Sequence, residues 1–163
     1  MKKITLAGGC FWGVEAYFKQ LDGVHETVSG YAGESRRAPT YEEVCNGSGH
    51  AEAVEITYDP SVIELRTLLK HFFTAIDPTL KNRQGPDIGI QYRSGIYRFD
   101  AEDRPVIDAV MEAIKKDYDK PIQTEVKKDM PFFKAEAYHQ DYLDKHPNGH
   151  CHIDLTLANK IKE

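Results

Sequence analysis

Long apolar runs are absent from this chain of 163 residues. No stretch approaches the roughly 20 consecutive apolar residues of a membrane-spanning helix. An excess of basic charge is missing too: 21 Lys and Arg against 26 Asp and Glu leave a formal net charge of −5, with the signs interspersed rather than blocked. That argues against a nucleic-acid partner and against an anionic membrane surface. Cysteine is scarce. Cys10, Cys45 and Cys151 lie far apart, no C-x-x-C is present, and three such positions make no disulfide framework. They suit a reducing compartment, where thiols do chemistry or sit inert. Internal repeats, low-complexity tracts and linkers are also lacking. A hydrophobic content of 40% is enough for one real core, so residues 1–163 are read as a single domain, with 146–163 as a tail carrying Cys151. Met1-Lys2-Lys3 followed by Ile-Thr-Leu-Ala-Gly-Gly-Cys faintly mimics a lipoprotein leader, but its apolar part is shorter than the roughly 7–15 residues of an export segment. A cytoplasmic protein is expected.

What is present is a regular alternation of elements. Residues 3–7 read as a strand, 11–20 as a helix and 24–29 as a second strand after the Asp22-Gly23 turn. Residues 30–39 read as a loop. Thr40-Tyr41-Glu42-Glu43 has the form of a capping box and predicts a short helix. Residues 51–58 alternate and predict a strand. Ser61-Val62-Ile63-Glu64 is a second capping box, opening a helix whose apolar stripe runs through Val62, Leu65, Leu68, Leu69, Phe72, Phe73 and Ile76. Residues 77–89 form a long loop, a length often associated with function. A strand is expected at 92–99, a helix from about residue 103 with Pro105 in its first turn, a strand over Ile122, Thr124 and Val126, and a last helix over 136–145. The first hundred residues thus have the order β-α-β-β-α-β, that of a ferredoxin-like split βαβ unit. An α+β two-layer sandwich is predicted, with an added helix and strand and a coiled C-terminal tail.

The most unusual stretch is Gly8-Gly9-Cys10-Phe11-Trp12-Gly13. Strand, glycine pair and helix start follow one another, which puts Cys10 at or near a helix N-terminus. There unpaired N–H groups and the dipole favour an anion. A depressed thiol pKa and a nucleophilic thiolate are expected. Phe11 and the sole tryptophan, Trp12, would wall the sulfur with apolar surface. A buried, inert cysteine is the alternative for any single such residue.

Gly-Cys-Phe-Trp-Gly resembles the signature of the A-type peptide methionine sulfoxide reductases. The resemblance extends from Gly8 to Cys151 and implies the family's fold and activity. Glu52 shares a strand face with Val54, Ile56 and Tyr58, so the pattern puts a carboxyl at the end of an apolar stripe, where desolvation favours the protonated acid. The same pattern allows Glu52 to sit at the strand's wet end. Gly49-His50-Ala51-Glu52-Ala53-Val54 matches the family motif in which the glutamate is the proton donor. Pro39-Thr40-Tyr41 and Asp87-Ile88-Gly89-Ile90-Gln91-Tyr92-Arg93-Ser94 resemble the segments carrying its two phenol donors, Tyr41 and Tyr92, and its loop carboxylate, Asp87. Gln91 and Arg93 read as structural. His139-Gln140-Asp141-Tyr142-Leu143, followed by Pro147, Gly149 and Cys151, is similar to the family's resolving segment. Position 150 departs, with histidine where an aromatic is expected. By resemblance His139 contacts the substrate backbone; a surface helical histidine is the other reading. Cys45 is expected to pack, inert, under the short helix.

The resemblance implies reduction of methionine-S-sulfoxide, free or in oxidised proteins and peptides. The methyl rests on Phe11 and Trp12, and Tyr41, Tyr92 and Glu52 hold the oxygen. Cys10 becomes a sulfenic acid, Cys151 resolves it as a disulfide, and thioredoxin recycles both thiols. No metal or organic cofactor is required, and a monomer is expected. Two rivals remain at this point. A Cys–His hydrolase would need a histidine within hydrogen-bond reach of Cys10. A metal-binding tail would use His146, His150, Cys151 and His152.

Overall fold

The computed structural model describes residues 1–161. It is a mixed α+β fold in which strands β1 (Lys2–Gly8), β2 (Val24–Ala32) and β3 (Ala51–Tyr58) form the middle of a six-stranded sheet. The helices are α1 (Phe11–Lys19), α2 (Tyr41–Cys45), α3 (Leu65–Ala75), α4 (Arg104–Lys115) and α5 (Tyr142–Lys145). The loop between α3 and the sheet carries a two-residue ribbon, β4 (Arg83–Gln84) against β5 (Asp87–Ile88). With β6 (Ser94–Tyr97), β7 (Glu125–Lys127) and β8 (Phe132–Lys134), the sheet order is β7-β6-β1-β3-β2-β8. Every pairing is antiparallel except β6 with β7.

Alternation along β3 decides which side of the sheet does what. Val54, Ile56 and Tyr58 point into the main core with Ile4 and Leu6 of β1, Phe11, Val14, Tyr17 and Phe18 of α1, and Leu68, Leu69 and Phe72 of α3. Ala51 and Ala53 face the opposite side, in a smaller cluster with Ala7, Ala32, Tyr97 and Met130. Glu52 shares the register of the first set and is 1% exposed. The carboxyl is therefore buried on the face that α1 covers.

Several expected boundaries move, each for a local reason. The box at Thr40 is present: Thr40 Oγ1 accepts from Glu43 N–H at 3.2 Å, and Glu43 Oε1 accepts from Thr40 N–H at 3.0 Å. The box expected at Ser61 is not. Asp59 Oδ1 takes both the Ser61 N–H (2.9 Å) and hydroxyl (2.7 Å), α3 starts only at Leu65, and Val62 lies outside the stripe, 48% exposed. Tyr92 does not begin a strand but ends a 3-10 turn, Ile90–Tyr92. The expected helix over 136–145 is broken into a 3-10 turn, Ala137–His139, and α5, with Asp141 left-handed at φ 53° between them. Gln140 causes the break: its side chain accepts from Ser29 N–H at 2.8 Å and donates to Ser29 O at 2.8 Å and Ala135 O at 3.1 Å. β2 runs on to Ala32, and β8, which pairs with that extension, has no counterpart among the expected strands. The tail is not loose: Ile153 is buried, and Leu155, Leu157 and Ala158 of a 3-10 helix, Leu155–Lys160, pack on the core.

Candidate active site

The turn from β1 into α1 carries the thiol. Gly9 takes φ +91°, a left-handed value suited to glycine, and Cys10 follows as the N-cap of α1. Cys10 keeps 6% of its surface open. The N–H groups of Trp12 and Gly13 favour its thiolate, as expected of a helix start, but they do not win. Burial, then the nearby Glu52 charge, raises the thiol well above the ordinary range. The expectation of a depressed thiol pKa is thus corrected: the resting sulfur is S–H. The helix N-terminus supplies partial charges, whereas desolvation and a facing carboxylate act with low-dielectric strength.

Glu52 is tied to this turn by a hydrogen bond from Phe11 N–H to Oε1 at 3.1 Å. Burial pushes its carboxyl up to about 8, the Phe11 N–H opposing and Asp87 reinforcing the shift. At neutral pH it is a neutral acid one residue from the thiol. Tyr41, first in α2, and Tyr92 are half-buried. Burial and then Glu52 raise both phenols, so each keeps its proton and is a donor. Arg93 steadies the turn that presents Tyr92, donating to Ile90 O at 3.0 Å and to Glu125 Oε1 at 2.9 Å.

The apolar wall is built around His139. This side chain is fully buried, not on the surface, and its Nδ1 accepts from Trp12 Nε1–H at 3.0 Å. Its ring lies 5.0 Å from that of Phe11, 4.5 Å from Tyr41 and 4.1 Å from Tyr138, centroid to centroid. Tyr142 stacks on Trp12 at 3.7 Å and 8°. Cys10, Phe11, Trp12, Tyr41, Glu52, Tyr92 and His139 thus converge from five separate segments.

Asp87 sits on β5, in a loop fixed by Gln84, which accepts from Asp77 N–H at 2.9 Å and donates to Asp77 O at 2.7 Å. Its Oδ2 accepts from His150 Nε2–H at 2.9 Å, so the histidine at the departing position is partnered with this loop carboxylate. Cys151 Sγ lies beside Gly13 in the first turn of α1, 3.3 Å from where a Cβ would stand there, and donates to Ile153 O at 3.2 Å. Burial raises this thiol too. Cys45 is exposed, contrary to expectation, because α2 is only one turn long and buries Val44 instead.

Three supporting residues lie outside the set of site residues the sequence motifs single out. Glu136 accepts from Tyr31 hydroxyl at 2.7 Å and from Tyr41 N–H at 3.0 Å, bracing α2. Glu15 accepts from Thr27 Oγ1–H at 2.9 Å and Asp141 N–H at 2.8 Å. Tyr142 backs Trp12. No sequence signal marks Glu136 or Glu15 as such, whereas Tyr142 lies inside the His139–Leu143 segment. As to the rivals, no histidine hydrogen-bonds Cys10 among the described residues, and the tail histidines diverge: His150 goes to Asp87, His152 to Gly8 O and His146 to the Tyr142 ring. Among the described residues no group of three or more His, Cys, Asp or Glu could hold a metal ion.

Comparison with known proteins gives a consistent result. A family model described as peptide methionine sulfoxide reductase matches residues 2–163. The peptide methionine sulfoxide reductase MsrA of Clostridium tetani is 55% identical over 156 residues, 95% of each chain. The crystal structure of Mxr1 from Saccharomyces cerevisiae in reduced form is 39% identical, with a TM-score of 0.85 over 93% of this chain and 88% of that one. Mxr1 from the same yeast in complex with Trx2 is 29% identical, with a TM-score of 0.60 over 94% of this chain and 88% of that one.

Proposed function

This chain belongs to the peptide methionine sulfoxide reductase family, and from that premise we propose how its own residues carry the reaction. The protein reduces methionine sulfoxide to methionine at the expense of thiols, and thioredoxin restores it. The S epimer is the substrate, free or peptide-bound. Its methyl group rests on Phe11 and Trp12, whose rings the buried His139 backs, and its oxygen takes hydrogen bonds from Tyr41, Tyr92 and Glu52, with Asp87 helping to orient the site.

Glu52 passes its proton to the sulfoxide oxygen, which makes the substrate sulfur electrophilic. The Cys10 sulfur attacks and its thiol proton replaces the one Glu52 gave up. The oxygen then passes to the Cys10 sulfur: a new S–O bond forms there, the substrate S–O bond and the transient S–S bond break, and Cys10 is left as a sulfenic acid while methionine departs. Cys151 S–H then attacks the sulfenic sulfur, an S–S bond forms, the S–O bond breaks, and the oxygen leaves as water. An external dithiol reduces the disulfide. The reading rests above all on the neutral carboxyl of Glu52 held against the backbone of the residue after Cys10.

Other features extend this reading. The central order β6-β1-β3-β2 supports a ferredoxin-like layout, and tail and core packed together support a single domain. A net charge of −5 with interspersed signs favours a monomer without nucleic-acid or anionic-membrane partners, and three scattered cysteines with no disulfide framework favour a reducing, cytoplasmic setting. The deciding experiment mixes the parent, Cys10→Ser and Cys151→Ser proteins with substrate in the absence of reductant. Mass spectrometry should find a Cys10–Cys151 disulfide in the parent. Cys151→Ser should make one methionine per protein and keep an oxidised Cys10. Methionine formation by Cys10→Ser would overturn the reading.

A further inference from the structure

Beside the two thiols lies a titratable group that the reaction above leaves unused. His152 follows Cys151, and its Nε2–H donates to the carbonyl of Gly8 at 2.7 Å, two residues before Cys10. Its ring fills a slot that only glycines leave open. A Cβ on Gly9 would stand 2.6 Å from Nε2 and 2.8 Å from Gln84 Cβ, and a Cβ on Gly13 would stand 3.0 Å from Nδ1. The imidazole therefore touches backbone on both sides of Cys10, before it at Gly8 and Gly9 and after it at Gly13. Cys151 Sγ lies against that same Gly13, one helical turn from the N-cap sulfur.

We propose that His152 is the positioning residue of the resolution step: its bond to Gly8 O docks the tail in the glycine slot and so holds Cys151 within reach of Cys10. The inference rests on Cys151 being the resolving thiol. Gly8 ends β1, where it pairs with Ser94 of β6, so the carbonyl that receives the histidine belongs to the rigid sheet and not to a loop. The other tail tether, His150 on Asp87, ends on the two-stranded ribbon outside that sheet. Burial lowers the basicity of His152, and only Nε2–H is engaged; Nδ1 is buried with no hydrogen-bond partner among the described residues. The function assigned is thus donation from Nε2, which an amide can reproduce.

The test follows two steps of one turnover by rapid quench, methionine formed and Cys10–Cys151 disulfide formed, in the parent, His152→Leu and His152→Gln. Removing the bond in His152→Leu should slow disulfide formation about 2- to 10-fold, the value of a hydrogen bond made in the docked state. The methionine burst counts folded sites, so rates are taken per burst and a poorly folding variant does not mimic the effect. His152→Gln, which keeps an N–H donor at the end of its side chain, should restore most of the rate. Equal disulfide rates in parent and His152→Leu would overturn the inference. So would a His152→Gln protein as slow as His152→Leu with the alkaline dependence of the step altered, which would make Nδ1 a proton acceptor instead. A parent that forms no Cys10–Cys151 disulfide would sink the resolving role of Cys151 itself, a separate failure visible before any variant is compared.

Discussion

At the scale of the residue, the chemistry turns on where one proton sits. Cys10 and Glu52 share a desolvated turn, and both are pushed toward their neutral forms. A thiolate beside an ionised Glu52 would place two negative charges together where little water screens them. The neutral acid is therefore the form that lets the sulfur react, and it is also the form that can donate. Glu52→Gln should lower the rate of the methionine burst by about 10²- to 10⁴-fold, the usual worth of general acid catalysis. The parent burst rate should fall as pH rises through about 8, and that limb should be absent in Glu52→Gln. Stability carries the same signature. Because folding raises this pKa, its contribution is complete below the ordinary carboxylate range and is lost as pH climbs through about 8. The melting temperature of the parent should therefore drop relative to Glu52→Gln over that interval. A difference that stays flat with pH would argue that Glu52 is ionised throughout.

At the scale of the element, short pieces are held by side chains rather than by their own length. α2 is five residues long, too short to persist unaided, and it presents Tyr41. Its capping box and the Glu136 bond to Tyr41 N–H both fix its N-terminal turn, one from within the segment and one from a distant part of the chain. Thr40→Ala should cost about 1 kcal/mol, seen as a fall of roughly 2–4 °C in melting temperature. KM should rise up to about fivefold, the same free energy expressed in binding, while the burst amplitude stays at one methionine per protein. An unchanged KM would mean that Tyr41 is placed by Glu136 and His139 alone. The box at Thr40 was readable because both partners lie within four residues. The box expected at Ser61 does not form, since Asp59, just upstream, captures the serine instead.

At the scale of the whole molecule, the wall of the site is assembled by bonds between distant parts of the chain. Gln140 stitches the segment after β8 to β2, and Glu15 ties the neighbouring Asp141 N–H to α1. Between them they set His139 and Tyr142 against Trp12. Gln140→Ala would leave the buried Ser29 N–H without this acceptor, at a cost of about 1–3 kcal/mol. Trp12 is the sole tryptophan, so its emission reports this wall directly. Emission should shift to the red in Gln140→Ala as the Tyr142 stack loosens, before any global unfolding. An unshifted spectrum would show that the stack holds without the stitch.

What the sequence determined by itself was local and periodic. The alternation around Glu52 put it in line with an apolar stripe without settling its burial, the strand-glycine-cysteine order put Cys10 at a helix start, and the resemblance of the motifs around Cys10, Tyr41, Tyr92 and Cys151 to a known family implied the reaction class. Tertiary structure alone decided the protonation of Cys10, the burial of His139, the exposure of Cys45 and the docking of His152 between Gly9 and Gly13. Periodicity records which side of one element is apolar. Desolvation and charge sum over every group nearby, and around Cys10 those groups come from positions as far apart as residues 8 and 152.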